Sequence, residues 1–425
     1  MKPYKKRIAD DILARKLQTA GAVLVEGAKW CGKTTTAEQS AKSTVYVDDP
    51  KLRAEVFAKA DIDPSFLLQG ATPHLIDEWQ LVPQVWDAVR FEVDHREDGF
   101  GQFILTGSSV PVSQDKFHHS GTGRFTRLQM RTMSLYESED SSGEVPLASL
   151  FSQEAIGGTN RLDFARLAFL VCRGGWPNAT NLPDDLSLDV AYNYHQSVVE
   201  NDISRADNVA RGKSNVKRLL QAYARGQATQ TTLQNICRDM TANDTSITTA
   251  TIASYLSALK KIFVIDDVAA WNPNLRSRTA IRTSDTHYFV DPSIAVAALQ
   301  TGPEELMRTE NLNLFGQLFE AFCIRDLKVY AESLGGEVRH YRDKNGLECD
   351  AVIHIRNGEY GLAEIKLGGS TKIEEGAATL KKLRDKLDTD RMSEPAFLAV
   401  ITGTEPFAYR RKDGVYVVPI GCLKN

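Results

Sequence analysis

The octapeptide Gly27-Ala28-Lys29-Trp30-Cys31-Gly32-Lys33-Thr34 constrains this chain more than any other segment. It fits the pattern G-x-x-x-x-G-K-[ST], a loop whose backbone N–H groups surround phosphate. Such a loop works only where a buried strand runs into it and a helix starts from it, because the helix N-terminus then turns its partial positive charge toward the anion. Both flanks are present: AVLVE at 22–26 is a short apolar strand, and residues 34–42 read as a helix. Gly27 and Gly32 allow backbone conformations that a side chain would obstruct. Lys33 is expected to reach the terminal phosphates and the Thr34 hydroxyl to ligate Mg²⁺, with Ala28, Lys29, Trp30, Cys31 and Thr35 completing the run around the phosphates. The cofactors this implies are ATP and Mg²⁺.

Further strands are expected at 45–49, 74–78 and 102–107, with helical stretches such as 85–93 between them. Strands alternating with helices predict a parallel sheet covered on both faces. Asp77 ends an apolar run, which puts it at the edge of the sheet where the phosphate loop also lies. It is expected to hold Mg²⁺, and Glu78 to polarise the attacking water. Ser108 follows the 102–107 strand and is a candidate sensor of the γ-phosphate. Arg124 and Arg127 follow Gly121-Thr122-Gly123; one of them would serve as a charged finger completing a neighbouring subunit's site, the plainer alternative being surface or packing arginines. This block closes near Glu139, where SEDSSG at 138–143 is linker-like.

From about 162 to 299 the pattern is mainly helical, with amphipathic segments at 215–226, 232–240 and 249–262 and a strand at 263–265. Three helices followed by a strand suggest a winged helix, with 287–290 as the second strand of the wing. Between Arg205 and Arg282 there are twelve Lys or Arg and five Asp, a local balance of 12 − 5 = +7 in a chain whose formal charge is −4. That concentration is a plausible footprint for a phosphate backbone. Segment 249–262 would be the recognition helix, with Ser254, Tyr255, Ser257, Lys260 and Lys261 on its polar side and Ile252, Leu256 and Leu259 in the core. A winged helix serving only protein contacts is the alternative.

The last third reads as a separate α/β domain: a long helix at 314–334, strands at 337–341, 348–355 and 360–366, a helix at 373–387, and strands at 396–401 and 415–419. Residues two apart on a strand share a face. Glu364 and Lys366 therefore point the same way, and Asp350 on the neighbouring strand can join them, with Glu320 on the preceding helix. Two carboxylates and a lysine at one edge suit Mg²⁺ and an attacking hydroxide beside a phosphodiester. Glu320, Asp350 and Glu364 are the candidate metal ligands, and Asp350, Glu364 and Lys366 the candidate catalytic residues. This order of helix-Glu, strand-Asp and strand-Glu-x-Lys is the PD-(D/E)XK nuclease pattern; a solvated hairpin, or a nuclease fold that binds without cutting, are the alternatives.

The chain resembles the AAA-type ATPases that carry an uncharacterised C-terminal domain. The residues that carry the resemblance are 27–34, LIDEWQLVP around Asp77 and Glu78, FILTGSS at 103–109, GRFTRLQMRTMSLYE at 123–137, RGGWPNA at 173–179, and, in the last domain, YRDKNGLECDAVI at 341–353 and AEIKLG at 363–368. The resemblance implies an oligomeric ring or clamp, and a C-terminal domain similar to the PD-(D/E)XK nuclease and Holliday-junction resolvase fold. Three domains are expected: an AAA-type P-loop ATPase at 1–140, a helical, winged-helix-like domain at 141–310, and a restriction-endonuclease-like α/β domain at 311–425.

Length agrees, since 425 residues exceed one ordinary core. The six cysteines are scattered with no CxxC, which argues against zinc and disulfides and fits a reducing cytoplasm. The basic start has no apolar run after it, so it is not read as a signal peptide, and no run approaches the roughly 20 apolar residues of a membrane helix. The expected function is ATP-driven processing of duplex or branched DNA. The alternative is a nucleotide-switched regulator whose C-terminal domain is only an interaction module. A small-molecule kinase would leave the two later domains without a role.

Overall fold

The computed structural model describes residues 4–97, 99–110, 121–241, 247–274, 276 and 278–425. Met1, Lys2 and Pro3 of the basic start, and Asp244 in the acid count, lie outside the described residues. The chain forms two compact units: Met1–Thr132 with Asn201–Arg211 and Ser257–Val264, and Met133–Glu200 with Gly212–Leu256 and Ile265–Asn425. The stretch 141–310, expected as one domain, thus contributes to both.

The first unit contains α1 (Ile8–Leu17), β1 (Ala22–Glu26), α2 (Lys33–Ser40), β2 (Ser43–Tyr46), α3 (Arg53–Ile62), β3 (His74–Asp77), α4 (Val85–His95), β4 (Phe103–Gly107) and β5 (Phe125–Gln129). The five strands form one sheet in the order β2-β3-β4-β1-β5, every pair parallel. Period-two alternation decides which side each residue covers. Ala22, Leu24, Ile76, Phe103 and Leu105 pack with Val56, Ala60, Val85 and Val89 on one face. Val23, Val25, Leu75 and Ile104 pack with Ala9, Leu13 and Ala37 on the other. Fully burying each of the valine, leucine, isoleucine and phenylalanine side chains among them stabilises the fold by about 1.5–3 kcal/mol. β5 is not foreseen in the sequence. It is a half-exposed edge strand containing Arg127, and it is held by Phe125 stacking on Trp86 at 3.8 Å between ring centroids.

The second unit contains the edge strand β6 (Gly158–Thr159), α5 (Phe164–Arg173), α6 (Lys213–Arg225), α7 (Leu233–Thr241), most of α8 (Thr249–Lys261), α9 (Pro292–Leu299), α10 (Leu312–Ser333), β7 (Glu337–Arg342), β8 (Glu348–His354), β9 (Tyr360–Lys366), α11 (Ser370–Arg384), β10 (Phe397–Thr402), β11 (Phe407–Arg410) and β12 (Tyr416–Pro419). Its mixed seven-stranded sheet runs β6-β11-β12-β10-β9-β8-β7. The expected strands at 263–265 and 287–290 shrink to two antiparallel bridges, Ile265↔Phe289 and Val268↔Thr286. The reason is local: Phe263 has a positive φ of 58°, and the Asp267 carboxylate accepts from the Tyr223 hydroxyl and the Tyr288 N–H. The RGGWPNA motif is structural. Gly175 N–H donates to Asp291 at 2.9 Å and Trp176 Nε1 to Ser293 at 2.9 Å, while Arg325 pairs with both Asp291 and Asp326 in a fully buried cluster. Among the described residues no helix is long and apolar enough to cross a membrane.

Candidate functional site

Parallel register sets the first site. Glu26 pairs with Gly107 and Asp77 with Thr106, so the loop after β1, the end of β3 and the end of β4 lie along one sheet edge. A Cβ on Gly27 would sit 2.1 Å from the Met130 carbonyl oxygen, so only glycine fits beneath the loop. Gly32 has φ +100° and begins α2, whose first N–H groups have no partner within the helix. Lys33 is 5% exposed, and its ammonium donates to the Ala28 carbonyl at 2.9 Å, bridging the loop it belongs to. Thr34 Oγ1 donates to Asp77 Oδ1 at 2.8 Å, and Thr106 donates to the same oxygen. Burial raises the Asp77 pKa above the usual carboxylate range, against those two hydrogen bonds and with a further push from Glu78 and Asp48. A buried carboxylate held by a threonine hydroxyl of the loop, with a lysine of the same loop bonded to one of its carbonyls, fits Mg²⁺ with a nucleotide. Thr34 and Asp77 are the residues that would hold the ion, and Lys33 the one that would meet phosphate. The ion would supply charge neutralisation on the phosphate oxygens.

Glu78 follows at φ +55°. Its Oε2 accepts from Ser108 Oγ at 3.0 Å and from Gln80 Nε2, which fixes the carboxylate beside the end of β4. Ser108 is buried and stands with the expected base. Arg124 and Arg127, the finger candidates, lie just before and on the edge strand β5. The first residue of β5 is level with Ala22 at the start of β1. That places Arg124 at the opposite end of the sheet from its own nucleotide loop, paired with Asp94 at 2.7 Å. Arg127 is on the exposed edge, pairing with Glu26 at 2.7 Å.

Four contacts at this site have no sequence signal. Arg7, read only as part of a basic start, is 4% exposed and donates to the Cys31 carbonyl of the loop and to the Arg131 carbonyl, each at 2.9 Å. The Tyr4 hydroxyl meets Thr36 of α2 at 3.0 Å. Lys29 pairs with Asp202 at 2.6 Å, tying the loop to a segment 173 residues away in the chain.

The second site lies on β8, β9 and α10. Antiparallel pairing of Ala363 with Ala351 brings Asp350 opposite Glu364. Asp350 Oδ2 accepts from the Ile365 N–H at 2.8 Å. Lys366 Nζ is 2.6 Å from Glu364 Oε2 and 3.5 Å from Asp350 Oδ2. Glu320 accepts from the Tyr288 hydroxyl at 2.7 Å. Gly376 lets α11 lie down on β9, since a Cβ there would meet Glu364 Cβ at 3.4 Å. Burial and the neighbouring Asp350 charge push the Glu364 pKa up to about 8, against the pull of Lys366. Burial, Asp350 and Glu364 also raise Glu320. Burial pulls Lys366 down, but Asp350 and Glu364 outweigh it, so its pKa is raised and it stays charged. Glu364 Oε1 is buried and has no hydrogen-bond partner. Among the described residues no three His, Cys, Asp or Glu side chains already form a metal cage. The free Glu364 oxygen stands beside two further carboxylates, with Lys366 paired to Glu364 and Asp350.

On α8, Ser254, Ser257 and Lys260 are exposed and Lys261 partly so, while Ile252, Leu256 and Leu259 are buried. Two of the acids in the local charge balance are ion-paired: Arg211 is buried against Asp207, and Arg225 pairs with Asp239.

The parallel sheet order and the loop geometry define the first unit as a P-loop ATPase domain of the AAA type. Family models agree: an AAA domain matches residues 19–139, and two domains of unknown function, DUF8612 and DUF4143, match residues 165–305 and 315–423. None of the curated proteins matches the chain. Among solved structures, the Walker-type ATPase PABY2304 of Pyrococcus abyssi aligns at 13% identity and TM-score 0.42, covering 69% of this chain and 96% of that one. A Thermotoga maritima RuvB variant aligns at 16% identity and TM-score 0.28, covering 60% and 87%. The Aeropyrum pernix Orc1 protein, solved in complex with DNA, aligns at 11% identity and TM-score 0.25, covering 71% and 94%.

Proposed function

We propose that the chain couples ATP hydrolysis to binding and processing of duplex or branched DNA, with a winged-helix-like middle region at 141–310 and a Mg²⁺-dependent nuclease-like domain at 311–425. The observation that carries this reading is the convergence of Glu320, Asp350, Glu364 and Lys366, with one Glu364 oxygen buried and unpartnered. The three carboxylates would hold Mg²⁺, which when bound supplies an activated water and neutralises a phosphodiester oxygen. Lys366 would keep its proton and steady negative charge developing on the phosphate. The succession of α6, α7 and α8 and the bridged ribbon after it supports the winged-helix reading. In a ring or clamp of identical subunits, Arg124 or Arg127 would act on a neighbour's nucleotide rather than its own. Six free cysteines support a reducing, cytoplasmic setting.

A nucleotide-switched regulator is the second reading, favoured by Lys366 occupying two of the carboxylates. One experiment separates them. Labelled four-way junction, duplex and single-stranded DNA are incubated with Mg²⁺, with and without ATP. Cleavage that disappears in Asp350→Ala, with ATP hydrolysis intact, supports a nuclease. Binding without cleavage leaves an ATP-driven DNA remodeller, and neither binding nor cleavage moves the function to protein partners.

A further inference from the structure

A polar cavity of about 240 Å³ opens beside the carboxylates of the second unit. Glu320 and, on β8, Glu348, Cys349 and Asp350 form part of its wall, and the rest comes from elements outside the helix-strand-strand motif: residues 228–230 after α6, Thr286 and Tyr288 of the bridged ribbon, and His340 to Arg342 of β7. Most of these groups are hydrogen-bonding and uncharged. Gln230 Nε2 lies 3.2 Å from His340 Nδ1, and Gln230 Oε1 is buried without a partner. Burial lowers the His340 pKa, keeping the ring neutral near pH 7. One cation stands among them: Arg342 pairs with Glu348 at 3.2 Å and has a buried Nε without a partner.

The wall is preorganised. Ala228 is held at φ +57°, a strained conformation for a residue with a side chain. Its N–H donates to His287 O at 3.0 Å, and His287 N–H donates back to Thr229 O at 2.9 Å. Thr229 Oγ1 donates to Gly226 O at 2.8 Å. Neutral donors and acceptors, one guanidinium and adjacent carboxylates match the parts of a nucleotide: a base edge, a phosphate, and the phosphodiester beside a cation. The size sets a limit. The cavity lies below the ~300 Å³ at which pockets for drug-sized ligands begin, so it has room for a group of about one nucleotide and none for a base pair. A base in a paired stack cannot reach such a recess without leaving the stack.

We propose that this cavity admits one unpaired nucleotide, so that the strand reaching Asp350 and Glu364 is single at that point, as at a flap, a frayed end or a branch. The inference rests on the DNA-processing reading above and narrows its substrate class. To test it, the full chain is titrated, with Ca²⁺ in place of Mg²⁺ to prevent cutting, against a closed hairpin duplex and against the same duplex bearing an unpaired tail. Binding is read by fluorescence anisotropy. Tailed DNA is expected to bind at least about tenfold more tightly, and Gln230→Leu to remove about tenfold of that preference, the worth of one hydrogen bond to a buried group. A 4-thiothymidine in the tail of the DNA bound to the unsubstituted protein should crosslink to the peptides containing 228–230 or 286–288, a result independent of how the variant folds. Equal binding of closed duplex, with crosslinks elsewhere, would overturn the inference and leave the DNA reading standing. Failure of every DNA to bind would remove the DNA reading and the inference with it.

Discussion

Lys33 is buried with its ammonium committed to a carbonyl of its own loop, and Asp77 is buried with both hydroxyl donors on one oxygen. Each arrangement exchanges readily for phosphate and a cation. Lys33→Ala should lower ATP turnover by about 100-fold or more in a phosphate-release assay, since it removes a charged donor aimed at the reacting phosphate. Glu78→Gln should retain ATP but slow hydrolysis about 100-fold, the scale of one general base; filter binding and single-turnover hydrolysis measure the two effects separately. Glu364 makes a prediction about pH. Its pKa rises from an ordinary 4.5 to about 8 on folding. Between those values the folded chain holds a proton that the unfolded chain has released, so stability falls as pH climbs from about 4.5 to about 8 and levels off above. Lys366, raised further still, stays charged across this window and adds no slope. Thermal melts in EDTA should show that decline in the wild type and a shallower one in Glu364→Gln, where Glu320 alone of the pair still contributes, a difference of several degrees in Tm.

Elements carry two further expectations. α8 buries Ile252, Leu256 and Leu259 and presents Ser254, Ser257 and Lys260 to solvent, the division its helical spacing requires. If α8 is the recognition helix, charge reversal of Lys260 and Lys261 to Glu should weaken DNA binding and flatten its salt dependence by about two phosphates' worth, a log–log slope change of about 1.8. Unchanged affinity would place DNA on another element. α10 and α9 are joined by Arg325 between Asp291 and Asp326, all three buried. Arg325→Met would leave two uncompensated carboxylates and should cost about 3–5 kcal/mol in denaturant unfolding of the second unit.

At the scale of the whole chain, Arg124 lies at the far end of the sheet from its own phosphate loop and is already paired with Asp94. Arg124→Ala should therefore leave ATP affinity unchanged within about twofold, less than half a kcal/mol. A large loss of affinity would mean that the residue reaches the nucleotide of its own subunit. Lys29 and Asp202 connect the loop to a distant stretch of chain inside the first unit.

The sequence by itself placed the Gly27–Thr34 loop, Asp77, Glu78 and Ser108 at one sheet edge, where the structure has them. These residues fall within short windows at strand ends, where loop pattern, apolar runs and the parallel-sheet rule each point to the same edge. It also indicated the Asp350, Glu364 and Lys366 face, because a period of two along neighbouring strands needs no long-range information. Tertiary structure alone decided the rest. β5 is an edge strand held by Phe125 against Trp86, which no local pattern announces. Arg7 and Asp202 reach the phosphate loop from outside its windows, and Tyr288 reaches Glu320 from the bridged ribbon. Arg124 could be placed only once register showed which end of the sheet it occupies. Local pattern encodes what a segment buries, whereas the partner a polar side chain finds depends on how the chain returns on itself.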